Sequence, residues 1–209
     1  MSLFAQPADA QSRPAQPKLI LAFGDSLTAG YRLPSTDSFP AQLQARLRAE
    51  GRNVTVHNAG VSGDTTTAGR ARLTWVLNGL KQKPDLAILA LGANDMLRGQ
   101  PVPRAKANLD AMIQEFQRRG IPVLLVGMYA VRNLDQTYVR QFDAMYPELA
   151  KSRGVALHPF FLEGVALQPR YLLNDFVHPN KQGVAVMVNN ILPRVKRELD
   201  RAPAARRAG

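Results

Sequence analysis

The chain has 209 residues, of which 45% are hydrophobic and 21% are charged, and it contains no cysteine. This length suffices for one sizeable domain without disulfides, and the lack of thiols excludes a cysteine nucleophile, a disulfide framework and a thiolate zinc site. The 27 basic and 16 acidic residues give a net charge of +11. No apolar run approaches the ~20 residues that cross a bilayer, so we expect no transmembrane segment.

Both ends of the chain differ in composition from the middle. Residues 1–17 are rich in Ala, Gln and Pro without periodicity, and we predict that they are disordered. Their Ala8-Asp9-Ala10 pattern is typical of the residues before a signal cleavage site, which indicates a remnant of an export signal and a periplasmic or secreted protein. Residues 200–209 are predicted to be a basic tail. A single domain is therefore expected over residues 18–199.

Short apolar runs alternate with amphipathic stretches of helical length. Strands are predicted at 19–23, 54–58, 86–91, 123–127 and 155–157, and helices at 39–50, 68–81, 104–119, 137–151 and 182–199. Parallel strands need helical crossovers that cover both faces of a sheet. The predicted fold class is therefore α/β, a three-layer α/β/α sandwich around a five-stranded parallel sheet.

Polar residues collect after the predicted strands, where open α/β sheets bind their ligands. Ser26 follows the first strand in Gly24-Asp25-Ser26, and a serine at such a strand-to-helix junction is a candidate nucleophile. A helix N-cap is the alternative role. Thr28 stands where the G-x-S-x-G motif needs its second glycine, so the nucleophile elbow of the α/β-hydrolases is not supported.

A serine nucleophile needs a base, and the chain has three histidines. His178 alone has a carboxylate three residues before it, Asp175, whereas His57 and His158 each follow a valine at that spacing. A carboxylate so placed can orient the imidazole and stabilise its protonated form. A turn that begins a helix is the alternative reading of Asp175 and His178.

An oxyanion hole requires hydrogen-bond donors aimed at the developing charge. The candidates are the backbone amide of Ser26, the amide of Gly60, where the absence of a side chain allows close approach, and the carboxamide of Asn94. Turn residues are the alternative for both Gly60 and Asn94.

Taken together, these blocks resemble the SGNH hydrolases, also called GDSL esterases and lipases, over about residues 18–199. Residues 26–31, 62–65 and 97–99 further resemble small bacterial periplasmic enzymes with acyl thioesterase, lysophospholipase and arylesterase activities. The resemblance implies a flavodoxin-like sheet in the order 2-1-3-4-5 and a catalytic triad of Ser26, Asp175 and His178. It implies no metal or cofactor, and it gives Asp25, Asp64 and Asp95 the role of fixing loops.

The expected function is that of a serine esterase acting on short to medium acyl or aryl esters, with thioesters or lysophospholipids as further substrates. Peripheral contact with anionic lipid is also expected from the basic surface, whereas no nucleic acid partner is expected because no aromatics interleave with the basic tail. An apolar acyl groove is predicted from residues near the strand ends: Tyr31, Met96, Leu97, Tyr129 and Phe161.

Two other functions compete with an acyl esterase. A carbohydrate O-acetylesterase of the same family is disfavoured because Trp75 is the only tryptophan available for sugar stacking. A non-catalytic lipid or nucleic-acid binding module is disfavoured because it needs no intact set of Ser26, Asn94, Asp175 and His178.

Overall fold

The computed structural model describes residues 16–201. Its sheet has five parallel strands in the order β2-β1-β3-β4-β5, which confirms the predicted topology. The strands are β1 (Lys18–Gly24), β2 (Val54–Gly60), β3 (Leu86–Ala90), β4 (Val123–Val126) and β5 (Ala156–His158). The N-terminal segment, its signal-like pattern and most of the basic tail lie outside the described residues.

Seven α-helices connect or flank the strands in the described part of the chain. They are α1 (Ser26–Ala29), α2 (Phe39–Ala49), α3 (Thr66–Gly79), α4 (Ala93–Leu97), α5 (Val102–Arg118), α6 (Gln136–Arg153) and α7 (Lys181–Arg201). Helix α2 packs against α7 over one face of the sheet, and α5 packs between α3 and α6 over the other, which confirms the three-layer sandwich. Each predicted strand and helix ends within two residues of the observed one; α1 and α4 were not predicted. None of the described helices combines the length and hydropathy needed to cross a bilayer.

The core lies on both faces of the central strands. All five residues of β3 are buried, as are Leu19 to Gly24 of β1, because helices cover both sides of these strands. Strand β2 is at the edge of the sheet and leaves His57 and Asn58 exposed. The ring of Phe23 meets that of Phe116 edge to face, with centroids 6.4 Å apart, which ties β1 to α5.

The register of the strands determines where the polar segments start. Gly24 at the end of β1 pairs with Gly60 of β2 on one side and with Ala90 of β3 on the other. Three chain segments therefore leave the sheet side by side at its carboxyl edge, and Ser26 and Asn94 are carried by two of them.

Candidate active site

The structure brings Ser26, His178 and Asp175 together in one hydrogen-bonded chain. The His178 ring lies with Nε2 3.0 Å from Ser26 Oγ and Nδ1 2.9 Å from Asp175 Oδ2. With Nδ1–H donating to the carboxylate, Nε2 is unprotonated and accepts the hydroxyl proton of Ser26. This is the arrangement of nucleophile, base and orienting acid expected from the spacing of Asp175 and His178.

The loop that carries Asp175 and His178 is closed by hydrogen bonds of its own. We call residues 173–180 the triad loop. Within it, Asp175 Oδ1 accepts from the amides of Val177 and His178 at 3.0 and 2.9 Å, and the Leu173 amide donates to the His178 carbonyl at 2.8 Å. These donors, led by the His178 amide, lower the pKa of Asp175 to about 2. Asp175 is therefore held ionised and aimed at the imidazole.

Tyr31 packs on the imidazole of His178. The two ring centroids are 4.4 Å apart with the planes tilted by 40°, and the Arg32 guanidinium lies 5.1 Å from the centre of the Tyr31 ring. Tyr31 follows α1 closely, so the segment that presents Ser26 also supports the base. We predicted Tyr31 as a groove residue, and the structure places it against the base itself.

Two of the predicted oxyanion donors are available. Ser26 is the first residue of α1, where backbone amides have no partner within the helix. The Asn94 side chain donates one Nδ2 proton to the Asp64 carbonyl at 2.9 Å, and this bond fixes the carboxamide while its second proton stays open.

The prediction for Gly60 needs correction. Its amide already donates to Asn58 Oδ1 at 3.0 Å, and a Cβ atom at this position would lie 2.7 Å from Ala29 Cα. Gly60 therefore lets β2 approach the backbone of α1, which is a packing role, and its amide is engaged.

A second glycine in the same loop has the properties that Gly60 lacks. Gly63 has a φ of +86°, and Arg98 donates to its carbonyl at 2.8 Å. Among the described residues its amide has no hydrogen-bond acceptor. Gly63 also precedes Asp64, whose carbonyl holds Asn94. Ser62-Gly63-Asp64 was part of the sequence resemblance, but no sequence feature showed which glycine amide is free.

Buried acids fix the loops around the site, as expected from the sequence. Asp25 caps α1 by accepting from the Leu27 amide at 3.0 Å, and Asp64 pairs with Arg72 at 2.6 Å. Asp95 accepts from both the amide and the hydroxyl of Thr66, at 2.7 Å each. The loops after β1, β2 and β3 are thus each held by a carboxyl group.

Burial also changes the protonation of Asp25. Burial raises the pKa of Asp25 from 3.8 to about 7; the Leu27 amide opposes the rise, and the charges of Asp64 and Asp95 add to it. A carboxyl group adjacent to Ser26 in sequence is therefore largely protonated below neutral pH.

Only part of the predicted acyl groove is open to a ligand. Leu97 is 61% exposed and Tyr129 is 42% exposed. Met96 and Phe161 are buried: the Met96 sulfur accepts from the Val131 amide at 3.2 Å, and Phe161 packs edge to face on Phe39 with centroids 4.9 Å apart. The prediction that these two residues line the groove is wrong, because neighbouring elements cover them.

The other two histidines lie outside this arrangement. His57 is exposed on the edge strand, and His158 is fully buried at the end of β5, where burial lowers its pKa to about 4. Within residues 16–201, no group of three or more His, Asp or Glu side chains is placed to hold a metal ion.

A hydrogen-bonded series of serine, histidine and aspartate is typical of serine hydrolases. Residues 22–186 match the model of the GDSL-like lipase/acylhydrolase family, and the chain belongs to that family. It is an ester hydrolase with the SGNH hydrolase fold.

Relatives and solved structures agree with this assignment. The chain is 40% identical to an arylesterase of Vibrio mimicus, over 78% of this chain and 80% of the relative. It is 36% identical to the esterase TesA of Pseudomonas aeruginosa, over 93% of this chain and 92% of the relative. The crystal structure of AlinE4, an SGNH-hydrolase family esterase, superimposes with a TM-score of 0.75 at 47% identity, covering 91% of this chain and 99% of that one.

The packing role of Gly60 is tested by replacement with alanine. We expect Gly60→Ala to lose about 1 to 3 kcal/mol of unfolding free energy and most of its esterase activity, because the new methyl group pushes on the backbone that carries Ser26. Gly79→Ala is the matched control: a Cβ there has no neighbour within 4 Å, so stability should stay or rise by up to about 1 kcal/mol. Urea unfolding and ester hydrolysis measure both effects. Wild-type stability and activity in Gly60→Ala would contradict the packing role.

The raised pKa of Asp25 predicts a pH-dependent stability. Between about pH 4 and 7 the native state holds a proton that the unfolded state has released, so the contribution of Asp25 to stability falls as pH rises through this window. The uncharged isostere Asp25→Asn should therefore gain stability relative to wild type by on the order of 2 to 3 kcal/mol between pH 5 and pH 8. Asp135→Asn, at the exposed N-cap of α6, controls for the change of capping group. If the stability difference between Asp25→Asn and wild type did not change with pH, Asp25 would not be a neutral carboxyl group in the native state.

Proposed function

We propose that this chain hydrolyses carboxylic esters through an acyl-enzyme on Ser26. The observation that carries the proposal is the contact of His178 with both Ser26 Oγ and Asp175, at 3.0 and 2.9 Å. These distances match the reach required of a general base and of the group that orients it.

The chemistry has two steps. In the first, Ser26 Oγ attacks the ester carbonyl carbon while His178 Nε2 takes the hydroxyl proton; the imidazolium then protonates the leaving alcohol as the original ester bond breaks. In the second, water attacks the new ester on Ser26, again losing its proton to His178. The acid leaves and Oγ regains a proton, so the enzyme returns to its starting state.

The negative charge on the carbonyl oxygen needs three donors in this proposal. We assign them to the Ser26 amide, the open Nδ2 proton of Asn94 and the amide of Gly63, which takes the place first given to Gly60. The hydrogen bonds that hold Asn94 and the Gly63 carbonyl support this set, because donors fixed before the reaction do not need to reorganise during it.

An open site favours short to medium acyl chains and aryl esters. His178 and Asp175 side chains are 21% and 27% exposed, so the triad opens to solvent. The cavity beside Asp25, lined also by Met128 and Phe161, measures only about 10 Å³, which is space for one water molecule at most. An acyl chain therefore lies across the surface, where Leu97 and Tyr129 offer apolar contact.

The names of the relatives span the same range of substrates. They are an arylesterase, an esterase and, in Escherichia coli, a thioesterase and lysophospholipase. One oxyanion chemistry serves esters and thioesters alike, and we propose both as substrates. A sugar O-acetylesterase is less well supported, because Trp75 projects from α3 rather than from the loops around Ser26.

We also propose that the enzyme acts in the periplasm or outside the cell. The support is the small-residue pattern at Ala8 and Ala10, outside the described residues. Fractionation of cells expressing the natural gene should find the enzyme outside the cytoplasm, and a purely cytoplasmic enzyme would overturn this location.

Ester hydrolysis by matched serine variants tests the function directly. We expect wild type to hydrolyse p-nitrophenyl esters with a preference for chains shorter than palmitate, and Ser26→Ala to lose nearly all turnover, because the nucleophile is gone. Ser35→Ala, an exposed serine in the short 3₁₀ helix Ser35–Asp37, should keep wild-type turnover. Full turnover by Ser26→Ala would contradict an acyl-enzyme on Ser26. Activity of the wild type on acetylated sugars alone would favour the O-acetylesterase.

A further inference from the structure

Large apolar side chains are exposed mainly around the site. Of the eight that the structure leaves exposed among the described residues, six lie on the segments that follow β2, β3 and β4, including the short helix α4, or on the triad loop. We call these six residues the apolar rim: Val61, Leu97, Tyr129, Val131, Phe176 and Val177. The other two, Trp75 and Leu167, lie on α3 and on a segment that packs along the middle of α7. Exposed apolar surface gathered in one place marks an interaction site.

Hydrogen bonds join three of the segments that carry the rim. The Val131 amide donates to the sulfur of Met96, next to Leu97, at 3.2 Å, and this bond joins the loops after β3 and β4. Arg98 donates to the Gly63 carbonyl at 2.8 Å, which joins the loops after β2 and β3. These segments leave the same edge of the sheet as Ser26, and the triad loop meets Ser26 through the hydrogen bond to His178.

Phe176 is an exposed apolar residue on the triad loop itself. It is 68% exposed and has a φ of 57°, in the turn where the Asp175 carboxylate accepts from the amides of Val177 and His178. Glycine or asparagine adopts this backbone conformation at lower cost. Most of the apolar surface of the Phe176 side chain therefore stays in contact with solvent.

Arginines accompany the rim. Arg98 and Arg132 are exposed on the segments after β3 and β4, Arg32 is exposed just after α1, and no ion pair within the described residues involves Arg32 or Arg98. Arg132 lies 5.5 Å from the centre of the Tyr129 ring and pairs with Asp143. Of the acids on these segments, Asp25, Asp64 and Asp95 are buried, Asp37 pairs with Lys181 and Asp175 is turned to His178, which leaves Asp135 exposed at the cap of α6. The face around Ser26 is thus apolar and basic.

This combination fits an anionic lipid surface better than a second copy of the chain. Two copies would bring their arginines together, on a protein whose net charge is already +11. An anionic bilayer offers phosphates to arginines, and below them hydrocarbon to Leu, Val and Phe side chains. Tyrosine is a residue preferred at that boundary.

We propose that the apolar rim docks the enzyme on an anionic lipid surface with the triad facing the lipid. The substrate is then an ester lipid within that surface or leaving it, such as a lysophospholipid; this choice of substrate rests on the proposed esterase function. Docking brings the ester to Ser26 without a deep acyl pocket, in agreement with the small cavity beneath the site.

Vesicle binding by the full chain tests the docking. The Ser26→Ala variant, which does not consume the lipid, is sedimented with vesicles of phosphatidylglycerol and phosphatidylcholine, and separately with phosphatidylcholine alone. We expect binding to the anionic vesicles only, weakened by added sodium chloride. Adding Val131→Ser and Phe176→Asn should weaken binding by at least about tenfold, since two apolar side chains leave the lipid.

A matched pair of variants controls for the loss of exposed apolar residues elsewhere. Trp75→Ser with Leu167→Asn removes side chains that are 78% and 92% exposed, and Leu167 shares the positive φ of Phe176. This pair should bind as Ser26→Ala does. The docking would be overturned if the protein did not bind anionic vesicles, or if both pairs of variants weakened binding equally. It would also be overturned if binding were lost only on removal of residues 202–209. A dimer that the rim variants abolish would overturn it as well.

The outcome is separable from that of the esterase function. Wild-type hydrolysis of p-nitrophenyl acetate, a soluble ester, tests the chemistry without a lipid surface. Hydrolysis without vesicle binding overturns the docking alone, whereas rim-dependent binding without hydrolysis of any ester overturns the function and leaves the docking in place.

Discussion

A single hydrogen bond, between the His178 ring and the Ser26 hydroxyl, joins two segments that are 152 residues apart in the chain. It exists because β1 lies in the middle of the sheet while the chain returns from the edge strand β5 to begin α7 near the end of β1. Any shift in the register of β1 moves Ser26 along the sheet by about 3.3 Å per residue, beyond hydrogen-bond reach of the imidazole. The register of the parallel sheet therefore sets the distance between Ser26 and His178.

Holding that geometry requires polar groups in places where burial is costly. Asp25, Asp64 and Asp95 lie almost fully buried beneath the loops that carry Ser26, Gly63 and Asn94. Asp64 is compensated by Arg72, which also donates to the Gly24 carbonyl at 3.0 Å and lies 4.0 Å from the centre of the Phe23 ring. Burial raises the pKa of Asp25, and no ion pair within residues 16–201 offsets its charge. Burial of these carboxyl groups thus costs stability next to the nucleophile, while their hydrogen bonds fix the loops.

The sequence was informative wherever local pattern determines structure. Apolar runs and amphipathic stretches predicted the strands and long helices, and the spacing of Asp175 and His178 indicated the candidate base. Helices α1 and α4, of four and five residues, are too short for a periodic signal. Contacts that exist only in the folded structure decided the rest: the Asn58 side chain accepts from the Gly60 amide within β2, and Phe39 of α2 covers Phe161. The apolar rim likewise emerges only when loops from separate strands meet.

The most direct measurement of the central claim is the stoichiometry and site of labelling by a phosphonate ester, a reagent that reacts with an activated serine hydroxyl. The account predicts one phosphonyl group per chain, located by peptide mass spectrometry on Ser26, and strongly slowed labelling when Asp175→Asn removes the group that orients His178. Labelling on another residue, or none by a protein that hydrolyses esters, would contradict the account.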